Sequence, residues 1–337
     1  MFDTIIGTSS GVVRLTSTGP EPLGLAGQRI WAIHAFVDAA GDEVILAGSY
    51  GDGLFRSTDS GHTWNPVANG LTSAAFRSIN PDPLDPAALF AGTEPGRIYR
   101  SVDDGLTWSE LDGITRIAGN ENWYLPYSPR AGAVRNIYAP DPNGPRLLAS
   151  VEVGGLLDSP DGGHTWICAR VGIDDDIHHI TGHPDDPNFL FASLGYASLR
   201  DSPHRTDGSR FGGIARSRDG GNTWQKVERD YTRATVIPPV RPDLLLAGPA
   251  PKVGEQGRVV VSEDWGDTWM DASDGIDTPM PDMVELFAAA PDDTIWAICS
   301  GGRLLVAEPA NPGEWQWRDP LPSGTNFDVQ SVSFLAT

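Results

Sequence analysis

The feature that most constrains this chain is an eight-residue motif, Ser-x-Asp-x-Gly-x-Thr-Trp, that occurs five times. The copies are Ser57–Trp64, Ser101–Trp108, Ser159–Trp166, Ser217–Trp224 and Ser262–Trp269, and a degenerate sixth copy is read as ending at Trp315, after Gly313. Successive tryptophans lie 44, 58, 58, 45 and 46 residues apart, so the base period is close to 45. Four short antiparallel strands with their turns need about 40–50 residues, the size of one propeller blade. The motif also reads as a turn in its own right. Asp59 offers a carboxylate to the N–H groups of its own turn, and Ser57 and Thr63 add hydroxyls. Gly61 supplies a positive φ. Trp64 is a large apolar plug for the seam between two blades.

Short alternating runs place the strands around these turns. In one repeat the expected strands are Ala75–Ile79 (innermost), Ala88–Gly92, Arg97–Ser101 and Thr107–Leu111 (outermost). The same frame puts inner strands at Ile30–Ile33, Phe76–Ile79, Val134–Ile137, Ile177–Ile180, Thr232–Val236, Val284–Phe287 and Val329–Val332. The expectation is an all-β chain forming a single seven-bladed β-propeller domain over residues 1–337. The first blade is split: Thr4–Leu25 gives its outer strands and Val329–Leu335 its inner one, so the C-terminal strand joins the N-terminal blade and closes the ring.

The five motif copies resemble the BNR/Asp-box repeat family along nearly the whole chain. That resemblance implies a β-propeller with the motif between the third and fourth strands of a blade, on the rim away from the binding face. Its members include sialidases, other glycosidases and non-catalytic assembly factors. Sialidases carry an Arg-Ile-Pro motif near the N-terminus; here Arg29-Ile30-Trp31 stands instead, and Val236-Ile237-Pro238 lacks the arginine. Xyloglucan-type glycosidases of this kind use two propellers around a cleft, and one propeller cannot build it.

Composition narrows the partners. A formal net charge of −21 opposes binding to nucleic acid or to an anionic membrane surface. Cys168 and Cys299 are too sparse for a disulfide scaffold and have no zinc-ligand spacing, so free thiols and no cofactor are expected. The Met1–Gly7 segment has no basic and apolar leader pattern, and no apolar run has membrane-spanning length, so a cytoplasmic location is expected unless an export signal precedes it.

The two long steps mark insertions at residues 112–133 and 193–212, with a smaller one at 248–257; all three are expected on the face opposite the motif turns. The second position of each inner strand reads Trp31, Arg77, Arg135, His178, Arg233, Glu285 and Gln330, and these side chains are expected to converge at the channel mouth. Guanidinium groups suit carboxylates or phosphates, so Arg77, Arg135 and Arg233, with Trp31 and Gln330, are candidate ligand-binding residues. Glu285, His178 and Glu152 are the candidate catalytic groups, with Glu94 as a further carboxylate. In the first insertion, Trp123, Tyr124 and Tyr127 offer faces for a sugar ring. In the second, Arg200–Asp207 is rich in charge and reads as a solvated loop, with a lid as the alternative. Asp174-Asp175-Asp176 stands beside His178 and His179, but strand alternation places the two imidazoles on opposite faces, so no metal is expected. The expected function is binding of a small anionic or sugar-like ligand or glycan, with glycosidase-like hydrolysis left open. The alternatives are a lyase acting on a uronate-like anion and a non-catalytic propeller that holds a protein partner.

Overall fold

A computed structural model describes residues 2–16, 18–120, 123, 132–169, 172–197, 212–322, 325 and 327–336. They form seven antiparallel sheets arranged as a β-propeller. Blade one pairs Val329–Ala336 with Phe2–Thr8, followed by Gly11–Thr16 and Gly19–Gly24. Phe2 sits opposite Ala336 and Ile6 opposite Val332, so the two ends of the described chain share one sheet, as expected. Side chains extend the closure into blade two: Ser331 Oγ donates to Ile30 O at 3.2 Å, and Ala35 N donates to Ser333 Oγ at 2.9 Å.

Blades two to six are four-stranded meanders whose inner strands are Ile30–Val37, Phe76–Asp82, Ala133–Tyr138, Ile177–His183 and Tyr231–Val236. Blade seven has three strands, Val284–Ala289, Ile295–Cys299 and Leu304–Ala307; a single bridge from Val306 to Arg318 stands where the outer strand runs elsewhere. The first insertion contains the helix Gly113–Asn120, which the strand pattern did not announce.

The core lies in the seams between blades, which explains why second strands read as unbroken apolar runs. In Leu147–Glu152 every residue is buried. Leu147, Ala149 and Val151 pack toward Phe90 and Ile98 of blade three, whereas Leu148 packs with Ile177, Leu190 and Ala192 of blade five. One strand thus serves two seams by alternation, and each such large side chain contributes about 1.5–3 kcal/mol of burial.

The motif turns close as the residues dictate. Asp59 Oδ1 accepts from Thr63 N at 2.8 Å, Asp59 Oδ2 from Thr63 Oγ1 at 2.7 Å, and Ser57 Oγ from Gly61 N at 2.9 Å. The Thr63 bonds hold the Asp59 carboxyl well below its usual range, at about 2. Gly61 has φ 87°, and a Cβ there would lie 2.8 Å from Leu23 Cβ in the preceding blade. Trp64 Nε1 donates to Leu23 O at 2.8 Å across the same seam.

The sixth copy needs a correction. Trp317, not Trp315, takes the motif tryptophan's place: its Nε1 donates to Ala272 O of the preceding blade at 2.8 Å. Its backbone N donates to Asp274 O, as Trp108 N does to Asn69 O. Trp315 is fully buried beside it, stacked at 6.0 Å. Two tryptophans two residues apart defeat a frame that counts from a single one.

Candidate functional site

Every inner strand carries a β-bulge at the same place. Pairing skips Trp31 between Ile30 and Ala32, Arg77 between Phe76 and Ser78, and Arg135 between Val134 and Asn136. It skips His178 between Ile177 and His179, and Glu285 between Val284 and Leu286. In blade six the irregular stretch runs from Thr232 to Thr235 and contains Arg233, and in blade one Gln330 is passed over between Val329 and Ser331. A bulge frees one residue from the ladder and re-aims its side chain. This is why the seven residues share one opening.

That opening is a cavity of about 390 Å³, and its lining includes Trp31, Arg77, Arg135, His178, Arg233, Glu285 and Gln330, together with Glu152. His179 also lines it. The expectation that His178 and His179 cannot share the channel is therefore corrected. Strict alternation fails because the bulge lies between Ile177 and His179.

The charged members form a cross-blade chain of ion pairs. Arg77, whose side chain is only 4% exposed, binds Glu94 at 3.1 Å and Glu152 at 3.3 Å. Arg135 binds Glu152 at 3.0 Å and reaches Glu285 at 3.8 Å. Arg233 donates to the other oxygen of Glu285, and its Nε donates to the Tyr231 hydroxyl at 2.7 Å. The Tyr231 hydroxyl lies 3.2 Å from His178 Nε2, which faces Asp176 Oδ1 at 3.3 Å. Burial alone would lower Arg233, but Glu285 and Tyr231 more than offset it, so the guanidinium is held charged. Burial pushes the Tyr231 phenol up and keeps it neutral. Burial drives His179 down to about 4 and raises the Cys299 thiol to about 12; Cys168 and Cys299 are both free thiols.

Trp31 is engaged by protein. Tyr50 stacks on it at 4.1 Å, and the Arg77 guanidinium sits 4.2 Å from its ring centroid. Tyr50 in turn donates to Glu94 at 2.9 Å. Gln330 donates to Asp328 at 2.6 Å.

Trp123, read from sequence as a sugar-stacking residue, is placed in the core at 5% exposure. A Cβ on Gly96, Gly132 or Gly154 would lie 2.9 Å from its ring. Its indole thus wedges between the turns that follow Glu94 and Glu152. Tyr124, Tyr127 and the segment 200–207 lie outside the described residues.

The sequence reading missed Tyr50 and Tyr231, and it named Asp176 only as one member of its triplet. A second column would have found Tyr50. The second strands end Leu-Ala-Gly-Ser-Tyr50, Phe-Ala-Gly-Thr-Glu94, Leu-Ala-Ser-Val-Glu152, Phe-Ala-Ser-Leu-Gly195, Leu-Ala-Gly-Pro-Ala250 and Trp-Ala-Ile-Cys-Ser300. The last position of that column supplies partners for three bulge residues: Tyr50 stacks on Trp31, Glu94 pairs with Arg77, and Glu152 pairs with Arg77 and Arg135. Tyr231 stands two residues before Arg233, on the same face.

No protein-family model and no curated protein matches this chain. Solved structures do. The GH74 xyloglucanase from Xanthomonas campestris aligns over 94% of this chain and 52% of its own length, at 19% identity and TM-score 0.67. An ancestral GH74 enzyme aligns over 82% of this chain and 36% of its own, at 14% identity and TM-score 0.60. YCF48 bound to D1 peptide aligns over 90% of this chain and 89% of its own, at 17% identity and TM-score 0.58. The chain thus spans about half or less of these GH74 enzymes and nearly all of YCF48. At these identities the likeness is one of fold: a seven-bladed propeller shared by glycoside hydrolases and by a peptide-binding protein. Among the described residues no helix is long and apolar enough to cross a membrane.

Proposed function

We propose that the channel mouth is a binding site for a carboxylate-bearing ligand, held between Arg135 and Arg233. The observation that carries this reading is the position of Glu285. It bridges the two arginines at the cavity wall, tightly to Arg233 and loosely, at 3.8 Å, to Arg135. All three side chains are about one-fifth exposed, at 19%, 21% and 19% for Arg135, Arg233 and Glu285. An incoming carboxylate can take the place of Glu285 and bond both guanidinium groups. Glu285 then acts as an internal competitor that any ligand must displace.

The same geometry argues against hydrolysis. A glycosidase needs one carboxyl group ready to give a proton and another ready to attack or to activate water. Here Glu152 and Glu285 are each engaged by two guanidinium groups. The ligand chemistry has three natural sources: a free small acid, an acidic sugar, or a peptide ending in a carboxylate. The peptide-bound state of YCF48 lends weight to the last.

Calorimetry with glucuronate, N-acetylneuraminate and a short acidic peptide separates these sources. Glu285→Gln should tighten whichever ligand binds by at least about tenfold, and Arg135→Gln should abolish binding. Binding of any of the three that is unmoved by both substitutions would remove the site from the channel mouth.

A further inference from the structure

We propose that Glu152, Asp176 and His178 form a binding site for one divalent transition-metal cation, Zn2+ being the best fit, on the inner side of the channel mouth. The three come from two adjacent blades. Glu152 ends the second strand of blade four, Asp176 stands just before the inner strand of blade five, and His178 is the bulge residue of that strand. All three are buried, at 6%, 4% and 4% exposure, and one ligand atom from each lies within 4.8 Å of the others. Glu152 and His178 line the cavity, which gives a cation its way in.

The placement of Asp176 is what points to a cation. Its Oδ2 accepts from Ala197 N at 2.9 Å, which fixes the carboxylate plane. Its Oδ1 is buried and accepts no hydrogen bond, although it faces His178 Nε2 at 3.3 Å. Neither tautomer of the imidazole resolves this. With the proton on Nδ1, Nε2 accepts from the Tyr231 hydroxyl and turns lone-pair density toward Oδ1. With the proton on Nε2, it serves the Tyr231 hydroxyl, and Oδ1 at 3.3 Å still gains no hydrogen bond; Nδ1 is buried without a partner in either form. A cation between Nε2 and Oδ1 uses both lone pairs.

The spacing fits. Zinc–ligand bonds of about 2.0–2.2 Å set neighbouring ligand atoms of a tetrahedron roughly 3.4 Å apart. The Asp176–His178 edge, at 3.3 Å, already has that length, and Glu152, with a ligand atom within 4.8 Å of both, needs to close by at most about 1.4 Å. Room is reserved for the edge. A Cβ on Gly195 would lie 2.0 Å from Asp176 Oδ2 and 2.6 Å from His178 Nε2.

The charges permit it. The guanidinium groups of Arg77, Arg135 and Arg233 pair with Glu94, Glu152 and Glu285, and Asp176 meets His178 instead of an arginine, so four carboxylates stand beside three guanidinium groups before a cation enters. The rest of the aspartate triplet stands outside this set. Asp174 Oδ2 accepts from Gly212 N and Lys226 Nζ, and neither Asp174 nor Asp175 belongs to the cluster of ligand atoms formed by Glu152, Asp176 and His178. One histidine with two carboxylates is a mixed N/O set suited to Zn2+ or Mn2+, and cavity access leaves the fourth position to water or to a ligand's anion.

The test uses the full-length chain, stripped with a chelator and titrated with Zn2+ and with Mn2+ by calorimetry. One equivalent should bind per chain, with a rise in melting temperature. Replacement by Co2+ should give visible absorption of a low-coordinate centre. Asp176→Asn keeps an oxygen for Ala197 N–H and should preserve the near-ultraviolet circular dichroism, yet weaken binding at least tenfold. His178→Gln should do the same, whereas His183→Gln, at a histidine outside the cavity lining, should not. The absence of stoichiometric binding, or binding that Asp176→Asn leaves intact, would overturn the assignment.

Discussion

The two ends of each blade are built on opposite plans. At the rim, a motif turn closes on itself within eight residues, and the same bonds recur in five blades. Ser101, Asp103, Gly105 and Thr107 repeat the contacts of Ser57, Asp59, Gly61 and Thr63. At the channel mouth repetition is limited to two pairs of the same spacing, Arg77–Glu94 and Arg135–Glu152, and the other partners are distant in sequence. Arg77 reaches Glu152 across 75 residues, and Arg233 reaches Glu285 across 52. Local closure makes each turn an independent unit. Cross-blade closure makes the ring one coupled object, in which each charge leans on a neighbour from another repeat.

The sharpest way to break this comparison is to open the ring itself. Deleting residues 329–337 removes the inner strand of blade one, including buried Val329 and Leu335, along with Gln330 at the mouth. The cooperative thermal transition should disappear, as read by calorimetry. A truncated chain that melts like the parent would show that the two ends do not depend on each other.

The next effect belongs to the charged ring. Glu152→Gln leaves Arg77 and Arg135 short of a carboxylate and should cost about 3 kcal/mol in urea denaturation. Pairing it with Arg135→Gln should expose a coupling above about 0.5 kcal/mol. Strict additivity would make the mouth as modular as the rim.

A smaller effect should appear with pH. Burial holds His34 and His179 neutral, with both values lowered to about 4. The unfolded chain takes up these protons first, near pH 6.5, so their contribution is complete above that pH. It falls as the pH drops from about 6.5 toward 4. Melting temperature against pH should show that limb, and His179→Gln should flatten part of it.

The least change is expected at the rim. Ser101→Ala and Ser217→Ala each remove a buried hydroxyl that accepts from a turn glycine N–H, at 3.0 and 2.8 Å. Each should cost about 1 kcal/mol, and the double variant should equal the combined single losses within about 0.5 kcal/mol.

The rim was legible in the sequence because its chemistry is short-range. A motif of eight residues contains nearly all its own partners, so repetition revealed the blades and their period, and the inner-strand frame brought their number to seven. The inner-strand column was legible for the same reason, since Ile30-Trp31, Phe76-Arg77 and Val284-Glu285 stand in one frame. What the frame could not show was pairing across blades. It did not foresee that Glu94 and Glu152 would occupy Arg77, or that Tyr231 and Asp176 would flank His178. Bulges were also hidden, because alternation is a rule about regular strands and a bulge is its local exception; His178 and His179 show the cost. Trp123 marks a different limit. A tryptophan in a long insertion reads equally as a contact for ligand or as a wedge under turns, and only the neighbouring glycines Gly96, Gly132 and Gly154 decide.

The seven bulges have a consequence for how such a molecule diversifies. Each lifts one residue, or two in blade six, out of the hydrogen-bonded lattice while the paired residues on either side stay fixed. The mouth therefore behaves as a set of seven interchangeable sockets on a constant frame. Swapping residues there, with charges exchanged alongside their partners, alters what the opening recognises without rewriting the blades.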